Sequence, residues 1–388
     1  MSEMTISGRY PEAIVSMPRS GIRVVMDLAW ELGDVLHLEV GEPDFPTPDP
    51  VVEAAVAAAR GGFTKYTPNT GILPLREALV AKLAHANGIV ATPDRIVVTS
   101  GAVAALACTL LATVPTGSDV LLPDPGWPNY AMQLHLMDAR PVYYPLRVEN
   151  GFEPDLDELA TLLTPRTRAI LVNSPSNPIG SVWRAETVRA MVNFALDHDL
   201  VLISDEVYEH IVFEGEHVSP AAFAPREAPI VSIYSFSKTY AMTGWRVGYA
   251  VAPPPLNELL ARLQEPTVSC SCSISQYAAL AALALDPSII EAMVSAYRQR
   301  RDVAYAILSE RGVRAFRPQG AFYMWVDISR GGRPSYDFAR SLIAETRVAV
   351  APGAAFGPGG DHWIRISLAN SLEVLEAGCT RIADFLNR

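Results

Sequence analysis

Residues 230–238 read Ile-Val-Ser-Ile-Tyr-Ser-Phe-Ser-Lys, an apolar run that leads into hydroxyl side chains and a lysine. The run from Ile230 to Tyr234 is brief and rich in β-branched residues, which is typical of a strand buried on both faces. Directly after such a strand, Lys238 is costly to bury because its amine is normally charged. The amine must be solvated or consumed in a chemical bond, and for a single lysine the solvated state is the commoner one.

Similar strand-like runs occur upstream, and helix-like segments separate them. The predicted strands are residues 95–99, 119–122, 169–173 and 200–204, and the predicted helices are residues 75–86, 102–111 and 185–197. This alternation predicts an α/β fold in which helices flank a large, mostly parallel sheet.

A different pattern follows the proline run at residues 253–255. Two long helical segments, residues 276–285 and 288–311, precede short strands near residues 322–326 and 363–367. The amphipathic stretch 21–32 is too short to fold alone, so we expect it to pack on this second unit. The sequence therefore predicts a large domain over residues 45–270. It also predicts a smaller, discontinuous α+β domain formed by residues 1–44 and 271–388.

Composition argues against several classes of partner. The chain has 388 residues and a net charge of −11, so a nucleic-acid backbone would be repelled on average. There is no apolar run of the roughly 18 residues that span a bilayer, and residues 1–10 lack the pattern of a signal peptide. We therefore expect a cytoplasmic protein that binds neither nucleic acid nor membrane.

Metal chemistry has little support in the sequence. The seven histidines are scattered, and the four cysteines, at positions 108, 270, 272 and 379, lack the spacing of common zinc or redox pairs. We expect four reduced thiols and no bound metal.

Chemically active residues follow the predicted strands, where ligands bind in open α/β sheets. Residues 99–103 read Thr-Ser-Gly-Ala-Val and enter a helix, whose unpaired N–H groups suit a phosphate. An ordinary serine-capped turn explains the same residues, and the three-glycine dinucleotide fingerprint is absent. The later strand ends lead into residues 173–180, 204–208 and 235–238, which belong on the same rim of the sheet.

Taken together, these motifs resemble fold type I pyridoxal-phosphate enzymes, specifically the class I and II aminotransferases of the aspartate-aminotransferase type. The resemblance spans about 325 residues, and its strongest part is residues 237–248, Ser-Lys-Thr-Tyr-Ala-Met-Thr-Gly-Trp-Arg-Val-Gly. The other matching motifs are Gly41 to Phe45, Lys65-Tyr66, Asn177 to Gly180, Asp205 to Tyr208, and Arg365.

The resemblance implies that pyridoxal 5′-phosphate is held by Lys238 as a Schiff base, with Asp205 paired to the pyridine nitrogen. Asn177 and Tyr208 would hydrogen-bond the phenolic oxygen of the ring. Lys238, Asp205 and Tyr208 are thus the expected catalytic residues. Trp127 would stack on the ring, although a buried aromatic in a proline-rich loop is the alternative.

For the cofactor phosphate, the resemblance implies that Arg246 is the principal ligand, since its guanidinium makes paired contacts to anions. The remaining candidate ligands are Ser235 (preferred over Ser237), Ser237, and the backbone of Gly101, Ala102 and Val103. Tyr66 resembles a tyrosine that reaches the phosphate of a neighbouring subunit, which implies a homodimer.

The substrate α-carboxylate would be bound by Arg365, with Asn177 and the backbone of Gly41 nearby. The implied reaction is ping-pong transfer of an amino group from an L-amino acid to a 2-oxo acid such as 2-oxoglutarate. Val103 stands where some members have a basic residue for dicarboxylic substrates, which weakly favours an apolar or aromatic donor, although Arg23 could still serve glutamate.

Two other functions remain open. A carbon–sulfur β-lyase or a cyclase of the same fold would use the same cofactor linkage. A non-catalytic cofactor-binding module, such as the sensor half of a transcription regulator, would need a DNA-binding domain for which this chain has no spare residues.

Overall fold

The computed structural model describes residue 10, residues 12–17 and residues 20–388. Residues 1–9, 11, 18 and 19 lie outside the described part. The predicted absence of a signal peptide in residues 1–10 therefore falls almost wholly on residues that are not described. The same holds for the first part of the predicted small-domain segment 1–44.

A seven-stranded sheet forms the centre of the large unit. Its strands, from one edge to the other, are Ile96–Thr99, Gly248–Val251, Ile230–Ser235, Val201–Asp205, Thr167–Asn173, Asp119–Asp124 and Arg140–Pro145. Gly248–Val251 runs antiparallel to both of its neighbours, and all other pairs are parallel. The five strands expected from the sequence are present, and the mostly parallel sheet is confirmed.

Two of the seven strands in this sheet were not predicted from the sequence. Arg140–Pro145 contains two prolines, and proline is rare in strands because it has no N–H to donate. This strand lies at the edge of the sheet, where a missing N–H is tolerated. Gly248–Val251 is only four residues long and begins with glycine. Neither segment has the long β-branched run that identified the other strands.

Helices cover the sheet and build the second unit. Their bounds are Glu12–Val15, Gly21–Leu32, Asp49–Arg60, Leu73–Ala86, Ala102–Thr113, Pro128–Leu136, Leu156–Thr161, Ala185–Asp197, Phe236–Thr239, Leu256–Val268, Ser273–Leu283, Pro287–Glu310, Ser335–Thr346 and Leu372–Leu386.

The smaller unit has its own sheets and core. Trp363–Ser367 pairs antiparallel with both Tyr323–Asp327 and Ala351–Pro352, while Leu36–His37 runs parallel to Val348–Ala349. Its hydrophobic core extends from the strands to the C-terminal helix, and Val25, Ala29 and Leu38 complete it from the N-terminal side. N-terminal and C-terminal segments thus share one core.

The exact domain limits stay a prediction. Helix Ser273–Leu283, which falls on the small-domain side of the predicted limit at residue 270, packs against Asp49–Arg60 and Leu73–Ala86. Its Ala278, Ala279 and Ala282 are buried in the same hydrophobic cluster as strand residues of the large sheet.

Within the described residues, no single helix is both long and apolar enough to span a membrane. Ser273–Leu283 and Pro287–Glu310 satisfy those criteria only as a pair, and their axes are bent by 88°. The same part of the chain contains no cluster of three or more His, Cys, Asp or Glu side chains arranged to hold a metal ion.

Candidate active site

A cavity of about 540 Å³ opens at the carboxyl ends of the parallel strands. The predicted site residues that line it are Gly41, Ala102, Val103, Trp127, Asn177, Asp205, Tyr208, Ser235, Ser237, Lys238, Arg246 and Arg365. The structure therefore brings together residues more than 300 positions apart in sequence. Gly101 lies against this group beside Arg246, whereas Tyr66 lies away from the cavity and is 90% exposed.

Lys238 lies in the short helix Phe236–Thr239, which continues directly from the strand Ile230–Ser235. Ser235 caps the start of this helix, because its hydroxyl oxygen accepts a 3.1 Å hydrogen bond from the Ser237 amide. The Lys238 amine donates a 2.7 Å hydrogen bond to the Gly41 carbonyl. Burial lowers the pKa of Lys238 to about 8, opposed by the Glu42 carboxylate. A buried amine with a depressed pKa has the free base that nucleophilic chemistry needs.

Asp205 ends the strand Val201–Asp205, and burial raises the pKa of its carboxyl to about 6. Its Oδ2 accepts a 2.7 Å hydrogen bond from the Tyr130 hydroxyl, which lowers that pKa and so opposes burial. The Asn173 side chain fixes the backbone of Asp205 by donating to its carbonyl at 2.9 Å. A cation placed beside this buried carboxyl would stabilise its ionised form.

Tyr130 and Tyr323 are site residues that sequence reasoning missed. Tyr130 lies on helix Pro128–Leu136, one turn after Trp127, and both residues line the cavity. The Tyr323 hydroxyl is 2.8 Å from that of Tyr208, and both rings are buried. The three-residue spacing from Trp127 could have indicated Tyr130, but nothing local distinguished Tyr323 from other strand aromatics.

An anion cradle lies where the turn before helix Ala102–Thr113 meets Arg246. Gly101 has a φ of +81°, and a Cβ there would lie 2.5 Å from Nη2 of Arg246, so only glycine leaves room for the guanidinium. The helix start, the Arg246 guanidinium and the hydroxyls of Ser235 and Ser237 provide the donors that a phosphate accepts. These residues fit the phosphate of pyridoxal phosphate.

Arg365 is a second cationic anchor and is only 2% exposed. It donates to the Asn177 side-chain oxygen at 3.0 Å and to the Glu39 carbonyl, and its guanidinium lies 4.2 Å from the Tyr323 ring centre. Its buried Nε has no hydrogen-bond partner among the described residues. Burial lowers the pKa of Arg365 because the charge is desolvated. A buried guanidinium with a spare donor suits a substrate carboxylate.

Lys238, Asp205, Arg246 and Arg365 thus meet in one cavity, which has donors for a phosphate and for a carboxylate. The sequence contains three lysines, Lys65, Lys82 and Lys238. Lys65 is exposed and Lys82 is paired with Glu209, so Lys238 is the lysine that lines this cavity.

Comparison with known proteins agrees with this geometry. The family model for aminotransferase class I and II matches residues 33–382. An aspartate aminotransferase of Pyrococcus abyssi is 39% identical over 95% of each chain. An aromatic-amino-acid aminotransferase of Thermococcus litoralis is 38% identical over 95% of each chain. The structure of Thermus thermophilus aspartate aminotransferase with maleate superposes with a TM-score of 0.93, at 36% identity, covering 97% of this chain and 99% of that one.

Family membership and the side chains that line the cavity indicate the same cofactor. Class I and II aminotransferases use pyridoxal phosphate, and the cavity contains a lysine, a buried carboxylate and an anion cradle, a set of groups that fits this cofactor. The chain therefore belongs to the class I and II aminotransferases and is a pyridoxal-phosphate-dependent enzyme of fold type I.

Proposed function

We propose that this enzyme moves an amino group between an apolar or aromatic L-amino acid and a 2-oxo acid such as 2-oxoglutarate, in two half-reactions with ping-pong kinetics. The observation that supports this most is the shared cavity of Lys238, Asp205 and Arg365. In it a base, a cofactor-binding acid and a carboxylate anchor would surround a single amino-acid substrate.

When bound, pyridoxal phosphate supplies an aldehyde that condenses with amines and a ring that accepts an electron pair. Asp205 is proposed to keep the ring nitrogen protonated, aided by the Tyr130 hydrogen bond that favours its ionised form. Asn177 and Tyr208 would serve the phenolic oxygen. Trp127, which lines the cavity, would cover one ring face.

Lys238 is proposed to remove the proton from the substrate α-carbon. Its depressed pKa, about 8, provides a useful fraction of free amine near neutral pH. Arg365 would hold the α-carboxylate through its spare Nε donor, and the Gly41 backbone lies beside Lys238. A fixed carboxylate aligns the α-hydrogen with the base.

The proposed substrate preference depends on the apolar wall of the cavity. Ile22, Met26 and Val40 line it together with Val103, and none of them can pair with a second carboxylate. Arg23 lines the same cavity and has no ion pair or hydrogen bond with a described residue, so it is the candidate ligand for the distal carboxylate of 2-oxoglutarate. Relatives named for aspartate, aromatic amino acids and prephenate support a family that accepts both side-chain types.

We also propose a cytoplasmic homodimer that binds neither nucleic acid nor membrane, and in which Tyr66 reaches the partner's cofactor phosphate. The 90% exposure of Tyr66 in the single chain fits a residue that acts outside its own subunit. Phe63, nearby in sequence, is 50% exposed. Tyr66→Phe should weaken cofactor binding without changing a dimeric sedimentation coefficient; a monomeric holoenzyme would contradict the proposal.

The deciding experiment follows the cofactor absorbance of the holoenzyme after adding single amino acids. We expect phenylalanine, tyrosine and glutamate to convert the cofactor to its aminated form, and a 2-oxo acid to restore it. A strong preference for aspartate would contradict the apolar-donor proposal. Pyruvate release from a β-substituted amino acid without any 2-oxo acid would instead indicate the β-lyase.

A further inference from the structure

The turn after strand Val201–Asp205 presents two opposite faces. Asp205 and Tyr208 line the cavity, whereas Glu206 and Glu209 contact other side chains on the far side. Residues 206–210 belong to no helix or strand. The Glu206 amide donates a 2.9 Å hydrogen bond to the Ile233 carbonyl, but the backbone hydrogen bonds of residues 207–210 stay within the turn. Side-chain contacts therefore contribute to fixing its position.

Glu206 is fully buried, and one of its carboxylate oxygens accepts several hydrogen bonds. Its Oε2 accepts hydrogen bonds from the hydroxyl of Ser219 and from that of Tyr234 at 3.0 Å, and it lies 2.8 Å from Nε2 of His217. The donors come from the loop after the turn and from the neighbouring strand Ile230–Ser235. Glu206 therefore ties the turn to the sheet interior.

Glu209 forms the second tie. Its two carboxylate oxygens accept from Lys82 and, at 2.6 Å, from Asn87. Asn87 also donates to Ser219 at 2.9 Å, which joins the two carboxylates in one network. Lys82 lies 4.4 Å from the ring centre of Tyr234. Helix Leu73–Ala86 is thereby connected to the turn.

From this arrangement we propose that Glu206 is a positioning residue for the aminotransferase reaction: by anchoring the far side of the turn, it holds Asp205 and Tyr208 in place against the cofactor. Glu209 assists through Lys82. The inference rests on the proposed roles of Asp205 and Tyr208. A buried carboxylate with several donors is rigid, and losing its charge weakens each of those hydrogen bonds.

Glu206→Gln tests this, because it preserves shape and removes charge. Asp119→Asn is the matched control, because Asp119 is equally buried in the same sheet and accepts paired hydrogen bonds from Arg140 at 2.8 Å. Asp119 lies at the amino end of strand Asp119–Asp124, whereas the cavity lies at the carboxyl ends of the parallel strands. Both variants should lower the melting temperature. Only Glu206→Gln should weaken cofactor binding and lower kcat, each by tenfold or more.

Amide hydrogen exchange in the cofactor-free protein supplies a readout that is independent of turnover. The amides of Glu209 and Ile211 donate to Glu206 and Tyr208 carbonyls within the turn, at 3.1 and 2.8 Å. They should exchange at least tenfold faster in Glu206→Gln and at the wild-type rate in Asp119→Asn. If Glu206→Gln does not fold, Tyr234→Phe removes one donor and should act in the same direction, less strongly.

The proposal would be overturned if Glu206→Gln lowered the melting temperature but left amide exchange, cofactor affinity and kcat unchanged. It would also be overturned if Asp119→Asn lost as much cofactor affinity and kcat as Glu206→Gln. An Asp205→Asn variant separates this failure from failure of the proposed function. If Asp205→Asn keeps full activity, the role of Asp205 is wrong, whereas if only the Glu206 variant is normal, the positioning role is wrong.

Discussion

The Tyr130 hydroxyl donates a 2.7 Å hydrogen bond to Oδ2 of Asp205, and both residues are almost fully buried beside the cavity. Burial alone favours a neutral acid, and this bond is the largest influence that opposes it. Tyr130 therefore supports the charge that Asp205 needs if it is to pair with a protonated ring nitrogen.

Tyr130→Phe should reduce kcat by about tenfold, the cost of losing one hydrogen bond to a buried charged group. The bond lowers the pKa of Asp205 from a value that burial has raised, so removing it raises that pKa further. The acid limb of the activity profile should then move to higher pH. Tyr144→Phe is the control, because the buried Tyr144 hydroxyl donates to the Leu171 carbonyl outside the cavity. An unchanged acid limb in Tyr130→Phe would contradict this role.

Cofactor capture by the cofactor-free enzyme should report the pKa of Lys238. Only the free amine attacks an aldehyde, so the capture rate should rise about tenfold per pH unit and level off above a pH of about 8. Glu42→Gln removes a charge that raises this pKa, and it should shift the levelling point to lower pH. Stopped-flow absorbance measures both. A rate that still climbs at pH 10 would mean that the amine is not desolvated.

Arg365→Lys should lower kcat/KM by roughly 30-fold, or about 2 kcal/mol, mainly through KM. A lysine cannot keep the contacts to Asn177 and Glu39 and also supply the spare Nε donor for the carboxylate. The absorbance of the bound cofactor should stay the same. Arg347→Lys, a change well outside the cavity lining, serves as the control. If KM for the amino acid is unaffected in Arg365→Lys, the α-carboxylate binds elsewhere.

Arg23→Met should discriminate between the two kinds of substrate. Losing the cation should raise KM for 2-oxoglutarate by about tenfold and leave the half-reaction with phenylalanine within twofold, and Arg23→Lys should restore part of the loss. Separate half-reaction titrations measure the two effects. Equal losses for both substrates would show that Arg23 acts on folding or on the cofactor, not on the distal carboxylate.

Local sequence patterns predicted five of the seven strands of the large sheet and the residues that follow them directly. Lys238 and Asp205 could be located in this way because each one ends or follows a buried apolar run. Their partners could not. Tyr130 is 75 positions from Asp205, and Lys82 is 127 positions from Glu209, so these contacts depend on how the helices pack on the sheet. The same is true of Tyr323, which reaches Tyr208 from the smaller unit.

The lysine that binds the cofactor can be identified directly by chemical trapping. Borohydride reduction of the holoenzyme makes the carbon–nitrogen bond between lysine and cofactor permanent, and peptide mass mapping then locates the added mass. With lysines only at positions 65, 82 and 238, the outcome is unambiguous. We expect the cofactor mass on the peptide containing Lys238, and its loss in Lys238→Ala. Cofactor mass on Lys65 or Lys82, or none on any lysine of an active holoenzyme, would contradict it.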